Sequence, residues 1–335
     1  MTDDIVLLQE LGRALDSRSP TKEHPGDLRI RDFLVSSLLR VRNKARGLVP
    51  LSPNRAQREF SQRCKGRNIV LKARQMGITT YVAARFFIQT ITRPGTMTVQ
   101  VAHDQESAEE IFKIVHRFWE NLPEAMKRGA LLRSRANVRQ MVFPRLDSEY
   151  RVATAADVNA GRGLTIHNLH CSEVARWLRD PAEVLASLRA AVPPDGEIVL
   201  ESTPNGAGGV FYEEWQHANE TGYARHFFPW WYDDEYREES DASDVRPLTP
   251  EEEDLVRRAE LTKEQIAWRR NNRAQLRKLA AQEYAEDPIS CFLASGECVF
   301  ELEAIDRAFE TTPVPVLVRE NGRLEIWLRP RPERQ

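Results

Sequence analysis

Residues 68–80 read Asn-Ile-Val-Leu-Lys-Ala-Arg-Gln-Met-Gly-Ile-Thr-Thr, an apolar run that meets a Gly-centred turn and then a helix-forming stretch. A turn of this kind binds phosphate when successive backbone N–H groups converge on the anion and the next helix presents its N-terminus to it. Gly77 permits the close approach, and Thr79 offers a hydroxyl to a divalent cation, with Thr80 behind it. A cation must also reach the β- and γ-phosphates. In the usual string G-x-x-x-x-G-K-[ST] it follows the second Gly directly, but Ile78 stands there in this chain. Lys72, at the front of the loop, is the candidate replacement, and Arg74 is a second cation for the γ-phosphate. The expected cradle is therefore Lys72, Ala73, Arg74, Gln75, Met76, Gly77, Ile78, Thr79 and Thr80. Alone, the same string also suits a plain Gly turn with chance basic residues.

Three further segments carry compatible chemistry. Gln57, in Leu51-Ser-Pro-Asn-Arg-Ala-Gln57, lies upstream of the first strand, and its amide can read both the donor and acceptor edges of adenine. Leu164-Thr-Ile-His-Asn-Leu-His-Cys-Ser-Glu173 reads as a strand neighbouring the loop and ending in an acid. Glu173 there would orient and deprotonate an attacking water; the alternative is an ordinary helix-capping acid. The preceding position, which would hold the water shell of the metal, is Ser172, a ligand without charge. Thr79, Ser172 and Glu173 form the expected metal set, with Glu173 covering part of both roles. Ile198-Val-Leu-Glu-Ser-Thr-Pro-Asn-Gly206 reads as a strand and a polar turn. Its Ser202, Thr203 and Asn205 would sit at the carboxyl edge of the sheet, where open α/β sheets bind ligands, and could sense the γ-phosphate.

Positioning these groups requires a sheet. Strand-like runs at 68–72, 97–102, 138–143, 149–154, 165–171 and 197–202 alternate with helix-like segments. Over Glu106–Glu120, Ala108, Ile111, Phe112, Val115, Phe118 and Trp119 recur at helical spacing, a core-facing stripe. Alternation of this kind predicts an α/β fold with a mainly parallel sheet and right-handed crossovers. The expected organisation is a helical appendage over 1–48, the α/β core over 49–235, a helical subdomain or linker over 236–300 and a tail over 301–335. In the appendage, Leu34, Leu38, Leu39 and Val41 suggest an amphipathic helix. Arg29, Arg31, Arg40, Arg42, Lys44 and Arg46 surround it, as a solvated face or a contact with DNA or a neighbouring subunit. Glu251–Ala281 reads as long charged helices, and Gly322–Leu328 as one strand-like run in the tail.

With 335 residues, 41% of them hydrophobic, the chain is long enough for one large or two medium domains with a real core. Its net charge of −2 gives no global signal for nucleic acid, so any such contact must be local. The clusters Lys127–Arg139 and Arg269–Lys278 are candidates for phosphate-backbone contact, or solvated helix faces. No base-reading motif is visible. Cys64, Cys171, Cys291 and Cys298 form no metal-binding pair and read as reduced and structural. No apolar run approaches the ~18 residues of a membrane span, and no secretory leader is evident, which predicts a cytoplasmic protein.

In this order, Gln57, Lys72–Thr80, Leu169–Trp177 and Ser202-Thr203-Pro204-Asn205-Gly206 resemble four motifs of the large terminase subunit of tailed bacteriophages. They match its adenine-reading segment, a deviant Walker A loop, the Walker B strand and the coupling motif; Phe292–Phe300 looks like the linker that follows. The resemblance covers roughly residues 50–300. It implies a P-loop NTPase core of the RecA/ASCE type that binds ATP and Mg2+. It further implies hydrolysis that drives double-stranded DNA into a procapsid in the host bacterial cytoplasm. Implied partners are the DNA, the portal and procapsid, the small terminase subunit and further copies of the chain in a ring, with no membrane. The family often borrows an arginine from the next subunit. Arg133, Arg135, Arg139 and Arg162 are candidates here, Arg162 in Gly161-Arg-Gly163 first among them. Two departures stand out. Ser172 replaces the usual Asp. The family's nuclease domain would begin about where Gln335 ends this sequence, and Glu320, Glu325 and Glu333 are too few to form its metal site, so DNA cleavage is not expected from this chain. The rival readings are a two-lobed helicase, which needs a second ATPase-like lobe, and a non-catalytic assembly scaffold, which the displaced lysine and Ser172 would suit.

Overall fold

The computed structural model describes residues 26–136, 139–157, 161–178, 180–238 and 247–293, and two short strands beyond them at 317–319 and 324–326. Residues 1–295 form one compact unit and 296–335 another. Within the second, Leu317–Arg319 pairs antiparallel with Leu324–Ile326, which lies inside the expected run at Gly322–Leu328. Most of the tail, including Glu320 and Glu333, lies outside the described residues, as do the linker-like residues 294–300.

Helix α1 (Gly26–Leu38) leads into a ribbon of β1 (Arg40–Arg42) and β2 (Leu48–Pro50), then helix α2 (Arg55–Arg63). The α/β core runs β3 (Arg67–Lys72), α3 (Ile78–Thr92), β4 (Met97–Ala102), α4 (Gln105–Glu120), α5 (Glu124–Arg128), β5 (Arg135–Ala136), β6 (Gln140–Phe143), β7 (Ser148–Thr154), β8 (Asn168–Ser172), α6 (Pro181–Ala190), β9 (Glu197–Ser202), α7 (Gly209–Gln216) and β10 (Ala224–Phe228). Its eight strands lie in the order β10-β3-β9-β8-β4-β7-β6-β5. The first six are parallel, and β6 and β5 complete one edge antiparallel. This is the P-loop NTPase architecture: a mainly parallel sheet flanked by helices.

The strand of Glu173 does not neighbour the loop strand, contrary to expectation: β9 lies between β3 and β8. The expected amphipathic helix ends at Leu38, so Val41 falls in β1, and the expected strand at 165–171 begins only at Asn168. The long charged helices divide into α8 (Pro250–Ala259), α9 (Lys263–Leu276) and α10 (Leu279–Glu283), followed by α11 (Ser290–Leu293). Glu260 and Arg277 make the breaks, with φ of 55° and 52°.

The apolar runs of β3, β4 and β9 are buried behind their first residues because helices cover both faces of the sheet. Helix α3 is buried almost throughout, which suits a sequence too rich in Ile, Thr and Phe for an exposed helix. Pro94 bars its continuation. Phe87, on α3, packs against Phe118, Phe143 and Tyr150 at ring distances of 5.8, 6.4 and 6.5 Å. That apolar cluster also takes in Leu34, Val35 and Leu39 from the N-terminal segment and Leu255 and Ile266 from α8 and α9. The expected boundaries at 48 and 235 therefore mark changes of element, not breaks in the core. The other face of the sheet is closed by Val184, Leu185, Leu188, Phe211 and Trp215 from α6 and α7.

Candidate active site

Lys72 ends β3 and Glu173 follows β8, so both reach the carboxyl edge of the sheet. Lys72 Nζ donates to Glu173 Oε1 at 2.9 Å, with the lysine side chain 6% exposed. Burial works against the ammonium, but Glu173 and then Glu201 outweigh it and raise its pKa. Burial likewise opposes the Glu173 carboxylate, and Lys72 leads the contacts that hold its pKa below the ordinary value. Both groups are thus charged at neutral pH. Glu173 has a left-handed backbone, φ 52°, an uncommon conformation for a non-glycine residue that costs on the order of 1–3 kcal/mol. The segment that follows β9 holds it there. Its Oε2 accepts from Thr203 N–H at 3.3 Å, Thr203 Oγ1 at 3.2 Å and Ser202 Oγ at 3.4 Å. Ser202 Oγ accepts from Ala175 N–H, and Asn205 Nδ2 donates to Ala175 O at 3.0 Å. Ser202, Thr203 and Asn205 thus bind directly to the turn that carries Glu173.

Gly77 caps α3 with φ 69°, and no side chain caps that N-terminus. A Cβ at Gly77 would also meet Gln57 Nε2 at 2.7 Å. Gln75 is left-handed as well, with φ 58°. Ala73 and Met76 are buried, while Arg74 and Gln75 are exposed. Ile78 is fully buried within the apolar cluster, which explains why the usual lysine position supplies no cation here. Thr80 is half-buried behind Thr79.

Gln57 has a structural task that the sequence reading missed. It is the third residue of α2, whose cap Asn54 forms a reciprocal capping box with it. Gln57 Oε1 accepts from Asn54 N–H at 3.0 Å, and Nε2 donates to Gly77 O at 2.8 Å. The amide is buried and bound to the loop from behind.

Glu201, on β9, also escaped notice. It is fully buried and pairs in register with Ser172 of β8. Its Oε1 accepts from Ser172 Oγ at 2.9 Å and from Thr79 Oγ1. Both expected metal-directed hydroxyls therefore converge on this carboxylate. Its Oε2 is buried without a hydrogen-bond partner. Burial opposes the charge, but Lys72, His170 and Thr79 prevail and bring its pKa down to about 2. His170 Nε2 lies 3.2 Å from Glu201 Oε1, and its Nδ1 faces Gln100 Nε2 at 2.6 Å. Tyr150 O–H donates to Gln100 Oε1 at 2.8 Å, so it is the Gln100 amide nitrogen that faces His170 Nδ1, while His170 Nε2 is buried without a hydrogen-bond partner. An acid inside the run Ile198-Val-Leu-Glu-Ser was the available signal.

Arg74 does not reach the Lys72–Glu173 pair. Its guanidinium pairs with Glu283 of α10 at 3.2 Å, and its N–H donates to Glu283 O. Arg176 joins them, 3.0 Å from Glu283 and 3.9 Å from Glu173. The other arginine candidates are not brought to the site within this chain. Arg162 is exposed on the turn that feeds the far end of β8. Arg133 stacks on Trp119, 3.7 Å from the ring, and Arg139 bonds Gln105; the Arg135 side chain lies outside the described residues. Of the expected basic cluster at Arg269–Lys278, Arg269, Arg270 and Arg273 are engaged by Glu251, Glu252 and Glu286. Among the described residues, no group of three or more His, Cys, Asp or Glu is placed to hold a metal unaided, and no helix is long and apolar enough to cross a membrane.

No protein-family model matches the sequence, and no curated protein matches it. Solved structures do resemble the fold. The large terminase of bacteriophage HK97 superposes with a TM-score of 0.54 at 12% identity, over 76% of this chain and 53% of that one. The large terminase ATPase domain of Thermus phage P74-26 gives a TM-score of 0.45 at 17% identity, over 68% of this chain and 91% of that one. This chain has the fold of a phage large terminase ATPase domain and spans about half the length of the HK97 protein.

Proposed function

We propose that this chain is an ATPase whose hydrolysis drives double-stranded DNA into a viral procapsid. The observation that carries the catalytic part is the buried Lys72–Glu173 pair, 2.9 Å apart, beside a Gly-capped helix N-terminus at the carboxyl edge of the sheet. The uncapped first turn of α3, the left-handed loop residues Gln75 and Gly77 and the orphaned Glu201 Oε2 suit a triphosphate with a divalent cation. Thr79 and Ser172 are the hydroxyls that would hold Mg2+. Bound there, Mg2+ would neutralise charge developing on the phosphate oxygens.

The chain's own groups then act in sequence. A triphosphate competes with Glu173 Oε1 for the Lys72 ammonium. As Lys72 turns to the phosphates, Oε1 is released while Thr203 and Ser202 retain Oε2. Oε1 then accepts a proton from the attacking water, and Lys72 and the loop N–H groups stabilise the transferring phosphoryl group. Glu173 gives the captured proton to the departing phosphate, whose loss lets Lys72 return to the carboxylate, and the Ser202–Asn205 segment registers the exchange.

The motor part rests on the order of the four motifs together with the terminase-like fold. In that reading the chain assembles as a homo-oligomeric ring on the portal, with the small terminase subunit, in the host cytoplasm. Arg162, on the opposite edge of the sheet from Lys72, serves the site of the next copy. Calorimetric titration of ATP with Mg2+ tests the site. The wild type should bind saturably and release phosphate, and Lys72→Ala should weaken binding at least about tenfold, the loss of one charge-assisted contact. A wild type that neither binds nor hydrolyses ATP would sink the proposal.

A further inference from the structure

We infer that Glu201 is the metal-directing carboxylate of this site, moved one strand sideways to replace the charge that Ser172 lacks; this rests on the nucleotide-site reading above. Ser172 and Glu201 are register partners on adjacent parallel strands, so their side chains leave the sheet at the same level and on the same face. A carboxylate at either position serves the same space.

The hydrogen bonds have the required polarity. Thr79 and Ser172 both give their hydroxyl protons to Glu201 Oε1. Their oxygens are thereby left with lone pairs to offer a cation or its water shell. Without Glu201, either hydroxyl could rotate its proton toward the cation and oppose it. Glu201 Oε2, buried and without a partner, remains an acceptor for a metal-bound water. Lys72 gives its hydrogen bond to Glu173 and none to Glu201, so the Glu201 carboxylate keeps acceptor capacity for a dication's water shell. Glu201 is thus a positioning residue: it orients Thr79 and Ser172 and supplies charge.

The test compares nucleotide affinity with and without metal, using ADP titrated calorimetrically in excess EDTA and in excess Mg2+, and Mn2+ paramagnetic resonance of the protein–ADP complex. Glu201→Gln keeps the shape but not the charge. It should cut the metal-dependent gain in ADP affinity, and the Mn2+ affinity of the ADP complex, by about 10–100-fold, while affinity in EDTA stays within about twofold. The double variant Ser172→Asp with Glu201→Gln restores the charge to the other strand and should recover most of the metal-dependent gain. A wild-type gain that Glu201→Gln leaves intact overturns the inference and spares the nucleotide site. A wild type that binds no ADP under either condition overturns both. If Glu201→Gln fails to fold, the double variant decides: recovery of the metal-dependent gain supports the transposition, and its absence contradicts it.

Discussion

At the scale of single residues, the loop depends on Gly77 for two separate reasons. Its φ of 69° belongs to the region that favours glycine, and a Cβ there would press on Gln57 Nε2 at 2.7 Å. Gln57 cannot easily withdraw, because its amide also closes the capping box with Asn54 and bonds Gly77 O. Gly77→Ala should therefore destabilise the fold by about 1–3 kcal/mol and weaken ATP binding, since the loop must open where its N–H groups converge. Denaturant titration and ATP calorimetry on the same preparation check both effects; an alanine variant equal to wild type in both would refute the account of this turn. The same contacts recast Gln57. Beside the adenine reading, Asn-x-x-Gln is also a helix-start signature, and its hydrogen bonds fill that second role.

At the scale of elements, the segments that carry the candidate site were legible because apolar runs with polar ends are what a twice-covered parallel strand requires. β3, β4 and β9 follow that rule closely, and the Gly turn after β3 marks the helix. β10 was not legible. Ala224-Arg-His-Phe-Phe is short, carries Arg225 and His226 side by side and is only partly buried, yet it flanks the loop strand at the sheet's edge. Strand order was equally hidden, since the placement of β9 between β3 and β8 depends on long-range pairing, not on local pattern. That placement is what brings Glu201 between Lys72 and Ser172. Helix α3 is fixed against β9 by a bidentate pair, Arg85 Nε and Nη2 to Glu197 at 3.0 and 2.9 Å, both side chains largely buried. The charged helices carried an ambiguous signal: their arginines read as DNA contacts or as solvated faces, and the acids that engage them, Glu251, Glu252 and Glu286, lie a turn or a helix away in sequence.

At the scale of the whole molecule, two buried groups tie stability to pH. Burial, with help from Arg63 and Lys65, brings the His226 pKa from 6.5 down to about 4. Its Nε2 faces Asn68 Oδ1 at 3.1 Å, and its Nδ1 is buried without a partner. Between these two pH values the unfolded chain takes up a proton that the folded chain refuses. The stabilisation is thus whole above pH 6.5 and declines as the pH falls toward 4, by up to ~3 kcal/mol. Glu201 extends the loss: its folded pKa of about 2 lies below its ordinary 4.5, so its contribution is present above 4.5 and disappears as the pH falls to 2. Urea midpoints of the wild type should fall between pH 7 and 4.5, and His226→Gln should flatten that fall. Identical slopes in the two proteins would exclude His226 as the cause.

In the proposed mechanism the carboxylate released by Lys72 performs the proton transfer. Single-turnover phosphate release by Glu173→Gln, with ATP binding measured in parallel, isolates that step. Binding should survive within a few-fold while the rate of hydrolysis falls by about 10²–10⁴. Hydrolysis at the wild-type rate in a variant that still binds ATP would contradict it.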